Sequence, residues 1–179
     1  MKTKSLFSAV LLLVLVISSF SVSCKSDDDG GSGGGGAAEG TITAKVNGSS
    51  FTSMQMTTTA HYESAGGFGM LSIMGTSSNL KTINLNLSHL TSQSPGTYEI
   101  GGENLVLVNA TYIESTTSGS SQNWMAPYDD GVHGSITISE WTDSNIKGTF
   151  HYDAALIEGS TVNTSNIKTV TEGSFNVNL

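Results

Sequence analysis

The chain has 179 residues, of which 37% are hydrophobic, enough for one domain with a core of its own. It has no arginine, and its seven lysines stand against 15 acidic residues, for a net charge of −8. With so few cations, this acidic protein would be repelled by nucleic-acid phosphates and by anionic lipid. Both are therefore excluded as main partners. The single cysteine excludes an intrachain disulfide.

The N-terminal segment has the order of residues found in a secretory signal. Lys2 and Lys4 precede an apolar run over residues 6–17, and small residues then lead to Cys24. The apolar run is shorter than the ~20 residues that a transmembrane helix needs. We predict a signal peptide over residues 1–23. Its removal takes two of the seven lysines and leaves five against 15 acids, a net charge of −10.

The residues around the cysteine resemble a lipid-attachment signal. Ser21-Val22-Ser23-Cys24 is similar to the lipobox of bacterial lipoproteins, although Ser21 stands where that pattern prefers Leu. The residues after it resemble the surface-export signal of Bacteroidota lipoproteins: Lys25, Asp27, Asp28 and Asp29. The resemblance implies lipidation at Cys24 and a place on the cell outer membrane, facing the extracellular side. Two or three acyl chains would make that anchoring permanent.

A tether is predicted between the anchor and the domain, over residues 24–39. Residues 30–36 are all Gly or Ser, and such a segment has no apolar area to bury against the loss of chain entropy. We expect a flexible coil that spans roughly 20 Å on average. The domain itself is predicted over residues 40–179.

The domain shows apolar residues that alternate with period two, which is typical of strands. The clearest run is Lys81 to His89, where Ile83, Leu85, Leu87 and His89 share one face. The predicted strands cover residues 41–47, 51–58, 70–75, 81–89, a short piece at 97–98, 104–114, 135–141, 145–155 and 171–179. Turn signals separate them at near-regular spacing. The fold class is therefore all-β, an antiparallel β-sandwich or a partly closed barrel of about eight or nine strands.

Two stretches carry a further likeness. Residues 134–152 and the closing Gly173-Ser174-Phe175-Asn176-Val177 resemble small Bacteroidota lipoproteins that have an all-β domain of unknown function. The resemblance implies a compact β fold, and it carries no catalytic residues to this chain.

The segment from Ser115 to Val132 is predicted to be a long loop, and long loops often carry function. It places two aromatic side chains beside two acids: Trp124, Tyr128, Asp129 and Asp130. Exposed rings would stack on sugars while the carboxylates accept hydrogen bonds from sugar hydroxyls. Alternatively, Trp124 and Tyr128 fold back and plug an open end of the sandwich.

No catalytic pattern stands out, and the four histidines show no metal-ligand spacing, so we expect neither an enzyme nor a bound metal or cofactor. The favoured hypothesis is a non-catalytic binding or adhesion module whose partner is a glycan or an envelope protein. One alternative is a carrier of a lipid or a small apolar ligand in a barrel cavity, lined by Met54, Met56, Leu71, Phe150 and Phe175. Another is a structural envelope protein.

Overall fold

The computed structural model describes residues 36–179, which form eleven strands and one short 3-10 turn at Gln55–Thr57. The strands are β1 (Thr41–Val46), β2 (Ser49–Thr52), β3 (Thr59–Ala65), β4 (Phe68–Thr76), β5 (Lys81–Leu90), β6 (Gly96–Gly101), β7 (Leu107–Ser115), β8 (Ser121–Ala126), β9 (Val132–Trp141), β10 (Asn145–Glu158) and β11 (Thr161–Asn178). Within these residues no helix reaches the length and apolarity that a membrane crossing requires.

All pairings are antiparallel, and nine strands follow one another in the order β2-β1-β11-β10-β8-β7-β5-β4-β3. β9 joins the sheet through β10, and β6 pairs with β9. The sheet curls into a half-barrel, and Tyr62 of β3 meets Trp141 of β9 edge-to-face, with 5.4 Å between ring centroids. The all-β antiparallel prediction is confirmed, in the partly closed form.

The core lies on the concave face, because alternate residues of every long strand point there. Leu71, Ile73, Ile83, Leu85 and Leu87 have no exposed surface. Burying an aliphatic side chain of this size contributes about 1.5–3 kcal/mol. The inward face predicted from the period-two pattern of β4 and β5 is therefore correct as far as Leu87.

Two phenylalanines fill the centre of the sheet by lying on glycines of the neighbouring strand. Phe150 of β10 pairs with Gly173 of β11, and Phe175 of β11 pairs with Gly148 of β10. A Cβ added at Gly173 would lie 2.5 Å from the Phe150 ring, closer than real contacts allow. These glycines lie inside strands, where only a residue without a side chain leaves room for the facing ring.

The predicted second strand, residues 51–58, is wrong beyond Thr52. The buried Ser53 accepts hydrogen bonds at its Oγ from the Ile42 backbone N–H, at 2.8 Å, and from the Thr58 hydroxyl, at 2.6 Å. These short polar side chains hydrogen-bond where a ladder would continue, so the chain turns and starts β3. Met56 is 87% exposed as a result, which contradicts its predicted place in an internal cavity.

Two more differences follow from weak apolar signals. β3 and β8 were not predicted as strands, and β11 begins ten residues before the predicted start at Thr171. β3 and β8 each turn few apolar side chains inward, and residues 161–170 are mostly Ser, Thr and Asn, so too few apolar positions show a period. Packing also begins before Gly40, because Ala37 is buried and its N–H donates to the Ser174 hydroxyl at 2.9 Å.

Candidate functional site

The length of β10 creates a junction on the sheet. Its ladder to β9 ends at Tyr152, and its ladder to β8 begins at Ala155. The connection between β8 and β9, residues 127–131, carries Tyr128. Burial and the charges of Asp129 and Asp153 raise the pKa of the Tyr128 hydroxyl.

The connection is held by one aspartate. Asp129 Oδ1 accepts a hydrogen bond from the Gly131 backbone N–H at 2.8 Å and contacts His133 Nε2 at 2.7 Å. An ionised carboxylate can only accept, so Nε2 carries the proton. The hydrogen bond from Gly131 and then that from His133 lower the pKa of Asp129. Asp129 is therefore ionised and fixed in orientation at neutral pH.

The imidazole that meets Asp129 is itself enclosed. The His133 side chain is only 8% exposed, and the Tyr128 ring lies on it with 3.8 Å between centroids at an angle of 46°. Tyr128 keeps part of its surface in solvent, and Asp129 and Asp130 are exposed. We call these four residues the Tyr128 corner: Tyr128, Asp129, Asp130 and His133.

The chemistry open to the Tyr128 corner is recognition by hydrogen bonds and ring contact. An Asp–His pair is also the orienting part of a nucleophilic triad, which needs a hydroxyl on the other imidazole nitrogen. Among the described residues no hydroxyl forms that hydrogen bond with His133. The same part of the chain places no three His, Cys, Asp or Glu side chains where they would hold a metal ion.

Trp124 is not part of this surface, and its predicted role as an exposed stacking platform is wrong. It lies on β8, inside the segment predicted as a loop, and is 2% exposed. Its Nε1 donates to Asn166 Oδ1 at 3.1 Å, and Lys168 Nζ lies 4.6 Å from its ring. The segment forms a hairpin because the chain reverses between Thr116 and Ser120, so the remaining connection is short.

An ion pair between Lys168 and Glu114 lies beside the buried Trp124. Glu114 Oε1 accepts hydrogen bonds from Lys168 Nζ at 3.0 Å and from the Tyr112 hydroxyl at 2.9 Å. Burial alone would raise the pKa of Glu114, but these two hydrogen bonds and the charges of Lys168 and Lys81 outweigh it and lower that pKa. Burial and the hydrogen bond to Glu114 raise the pKa of Tyr112. The cluster is a packed ion pair over an aromatic interior.

Sequence reasoning named Tyr128, Asp129 and Asp130, which are adjacent in the chain, but it did not connect them with His133. The available signal was the Asp-x-Gly spacing at Asp129 and Gly131, which is typical of an aspartate that accepts from a backbone N–H two residues on. The predicted lipid anchor and export signal, Cys24, Lys25 and residues 27–29, lie outside the described residues.

The fold and the Tyr128 corner together define a small all-β domain built on one curled antiparallel sheet. The chain belongs to the family described as a domain of unknown function, DUF6252, whose model matches residues 38–177. No curated protein and no solved structure matches the chain. The all-β domain of unknown function expected from the resemblance is thus confirmed at the level of the family.

Proposed function

We propose that this protein is an outer-membrane lipoprotein of Bacteroidota type, anchored through Cys24 and displayed on the cell surface. Its domain acts as a non-catalytic binding module that contacts a glycan or an envelope protein through the Tyr128 corner. The anchor rests on the leader, the unique cysteine and the Lys25 and aspartate pattern after it.

The observation that supports a binding role is the fixed geometry of the Tyr128 corner. Asp129 is held by two hydrogen bonds through one oxygen, and the His133 ring, tilted by 46° against the Tyr128 ring, limits the movement of Tyr128. A group that is already ordered loses little conformational entropy when a partner binds. The exposed carboxylates accept hydrogen bonds, and the tyrosine adds a ring and a hydroxyl, which suits partners rich in hydroxyl or amide donors.

The binding role is tested with the lipid-free mature protein on arrays of oligosaccharides and by crosslinking on intact cells. Asp129→Asn and Tyr128→Ala should each weaken the dominant interaction about tenfold or more, since each removes a group that the partner contacts. Asp143→Asn is the matched control, because Asp143 is an exposed acid in the turn between β9 and β10. Equal binding by all three variants would refute the role of the Tyr128 corner.

The anchor is tested separately. Cys24→Ala should release the protein from membranes, because the acyl chains supply the attachment at about 0.8 kcal/mol per buried methylene. Replacing Lys25 and the three aspartates with alanine should keep the anchor but remove the protein from the reach of protease on intact cells. A Cys24→Ala protein that stays in the membrane fraction, or an unmodified terminus by mass spectrometry, would contradict the proposal.

A further inference from the structure

A groove of about 330 Å³ opens at one end of the sheet. The residues that line it are distant in sequence from the Tyr128 corner. It lies between the tip of the β3–β4 hairpin and the residues that follow β5, and it is lined by Tyr62, Ser64, Phe68, Leu90 and Thr91 with the two turn glycines. The turn residues Gly66 and Gly67 have positive φ, 63° and 87°. Because glycine has no side chain, bare backbone borders the groove at this turn.

The groove is uncharged in a strongly acidic protein. None of the residues that line it is Asp, Glu, Lys, Arg or His. Ser64 and Thr91 are exposed and offer hydroxyls, and the turn offers backbone amides. A ligand with a net charge would find no oppositely charged side chain in this lining, whereas a neutral polyol would find donors and acceptors.

Two aromatic rings border the groove, and they differ in exposure and in packing. Tyr62 is fixed, because its ring lies over Gly69, where any side chain would overlap it, and Trp141 packs against it edge-to-face. Phe68 is 53% exposed at the hairpin tip. A ring left this far in water contributes little to the core, so its apolar face is available to a partner.

A bulge sets a second ring beside Phe68. In the β4–β5 ladder Gly69 pairs with Leu90 and Met70 pairs with Ser88, which leaves His89 without a partner, and its φ is +62°. The bulge turns Leu90 inward and His89 outward, with 5.5 Å between the His89 and Phe68 rings. A left-handed backbone is unfavourable for a residue other than glycine, because its Cβ approaches the following carbonyl oxygen. Such strain is characteristic of functional positions.

We propose that this groove binds one or two neutral pyranose units of a glycan. Phe68 stacks on the C–H face of the sugar, while the hydroxyls of Ser64 and Thr91 and the turn amides hydrogen-bond to its hydroxyl groups. The volume lies near the lower end of ligand pockets, which fits one or two sugar rings rather than a long chain. This inference rests on the proposed function, since it names the ligand class and adds a second contact surface to the module.

The test is a titration of the full mature chain with neutral and anionic oligosaccharides on an array, followed by calorimetry on the strongest neutral binder. Phe68→Ala should lower its affinity tenfold or more, Phe68→Tyr should keep it, and Ser64→Ala with Thr91→Ala should lower it at least threefold. Met70→Ala is the matched control, since Met70 is 52% exposed on the same strand but does not line the groove.

The outcomes separate this inference from the proposed function. Loss of binding in Phe68→Ala but not in Met70→Ala supports the groove. Binding that survives Phe68→Ala but is lost in Tyr128→Ala overturns the groove and leaves the Tyr128 corner as the site. A wild-type protein that binds no neutral saccharide also overturns the groove, and the module then depends on crosslinking to an envelope protein alone.

Discussion

The burial of Trp124 leads to a specific prediction about stability. Truncation of an exposed stacking residue changes the free energy of unfolding little, whereas truncation of a core residue lowers it strongly. Trp124 is 2% exposed, Lys168 Nζ lies over its ring, and its indole N–H donates a hydrogen bond to Asn166. Truncating a buried tryptophan to alanine costs about 3–5 kcal/mol. At about 3–4 °C per kcal/mol for a domain of this size, Trp124→Ala should lower the melting temperature by about 10–20 °C.

A milder change should give a graded loss. Trp124→Phe keeps most of the ring but removes the hydrogen bond to Asn166, about 1 kcal/mol, and weakens the contact with Lys168 by about 0.5–1 kcal/mol. The expected total is about 1.5–2 kcal/mol. Urea unfolding followed by circular dichroism measures both variants. Tyr128→Ala is the control, since Tyr128 keeps part of its surface in solvent and should change stability by about 1 kcal/mol or less.

Fluorescence gives an independent readout, because the chain has only two tryptophans. In a Trp141→Phe background the emission reports Trp124 alone, and it should be blue-shifted and poorly quenched by acrylamide. Red-shifted, readily quenched emission, together with an unfolding free energy unchanged in Trp124→Ala, would refute the reasoning.

Three further predictions concern packing, pH and the strained bulge. Gly173→Ala should cost about 1–3 kcal/mol in urea unfolding because the added methyl overlaps the Phe150 ring, whereas Thr149→Ala on the exposed face of β10 should change little. The pKa of Glu114 is lowered in the folded state, so its contribution to stability is present above the ordinary value of 4.5 and is lost as pH falls through the folded pKa. Glu114→Gln should therefore destabilise the protein most at neutral pH. An equal loss of stability at pH 3 would contradict this. His89→Gly should be tolerated and His89→Val should destabilise by at least about 1 kcal/mol in thermal unfolding, since φ is +62° at this position and β-branched residues avoid that region; equal stability of the two variants would argue against the bulge.

β5 and β8 show when a local sequence pattern is enough to predict a strand and when it is not. In β5 the alternation of Ile83, Leu85 and Leu87 with polar residues was enough to predict both the strand and its inward face. In β8 only Trp124 and Ala126 point inward, so this polar segment was interpreted as a loop whose aromatic side chains were either exposed or folded back on the sandwich. The period is informative only when enough of its positions are apolar.

The candidate site divides in the same way. Tyr128, Asp129 and Asp130 are adjacent in sequence, and their grouping needed no tertiary structure. The partner that orients Asp129 is His133, whose burial depends on the ring of Tyr128 and on where β8 and β9 meet β10. The groove beside Phe68 joins residues from β3, β4 and the end of β5, and no local signal connects them.

By itself, the sequence determined the all-β class, the acidic composition, and the inward faces of the strongly alternating strands. Each of these depends on composition or on neighbours within a few residues. Only the tertiary structure decided that the sheet is one curled half-barrel, that Trp124 is internal, and that a bulge turns His89 outward. Those outcomes depend on which distant strands pair and in what register, because a shift of one residue exchanges the buried and exposed faces of a strand.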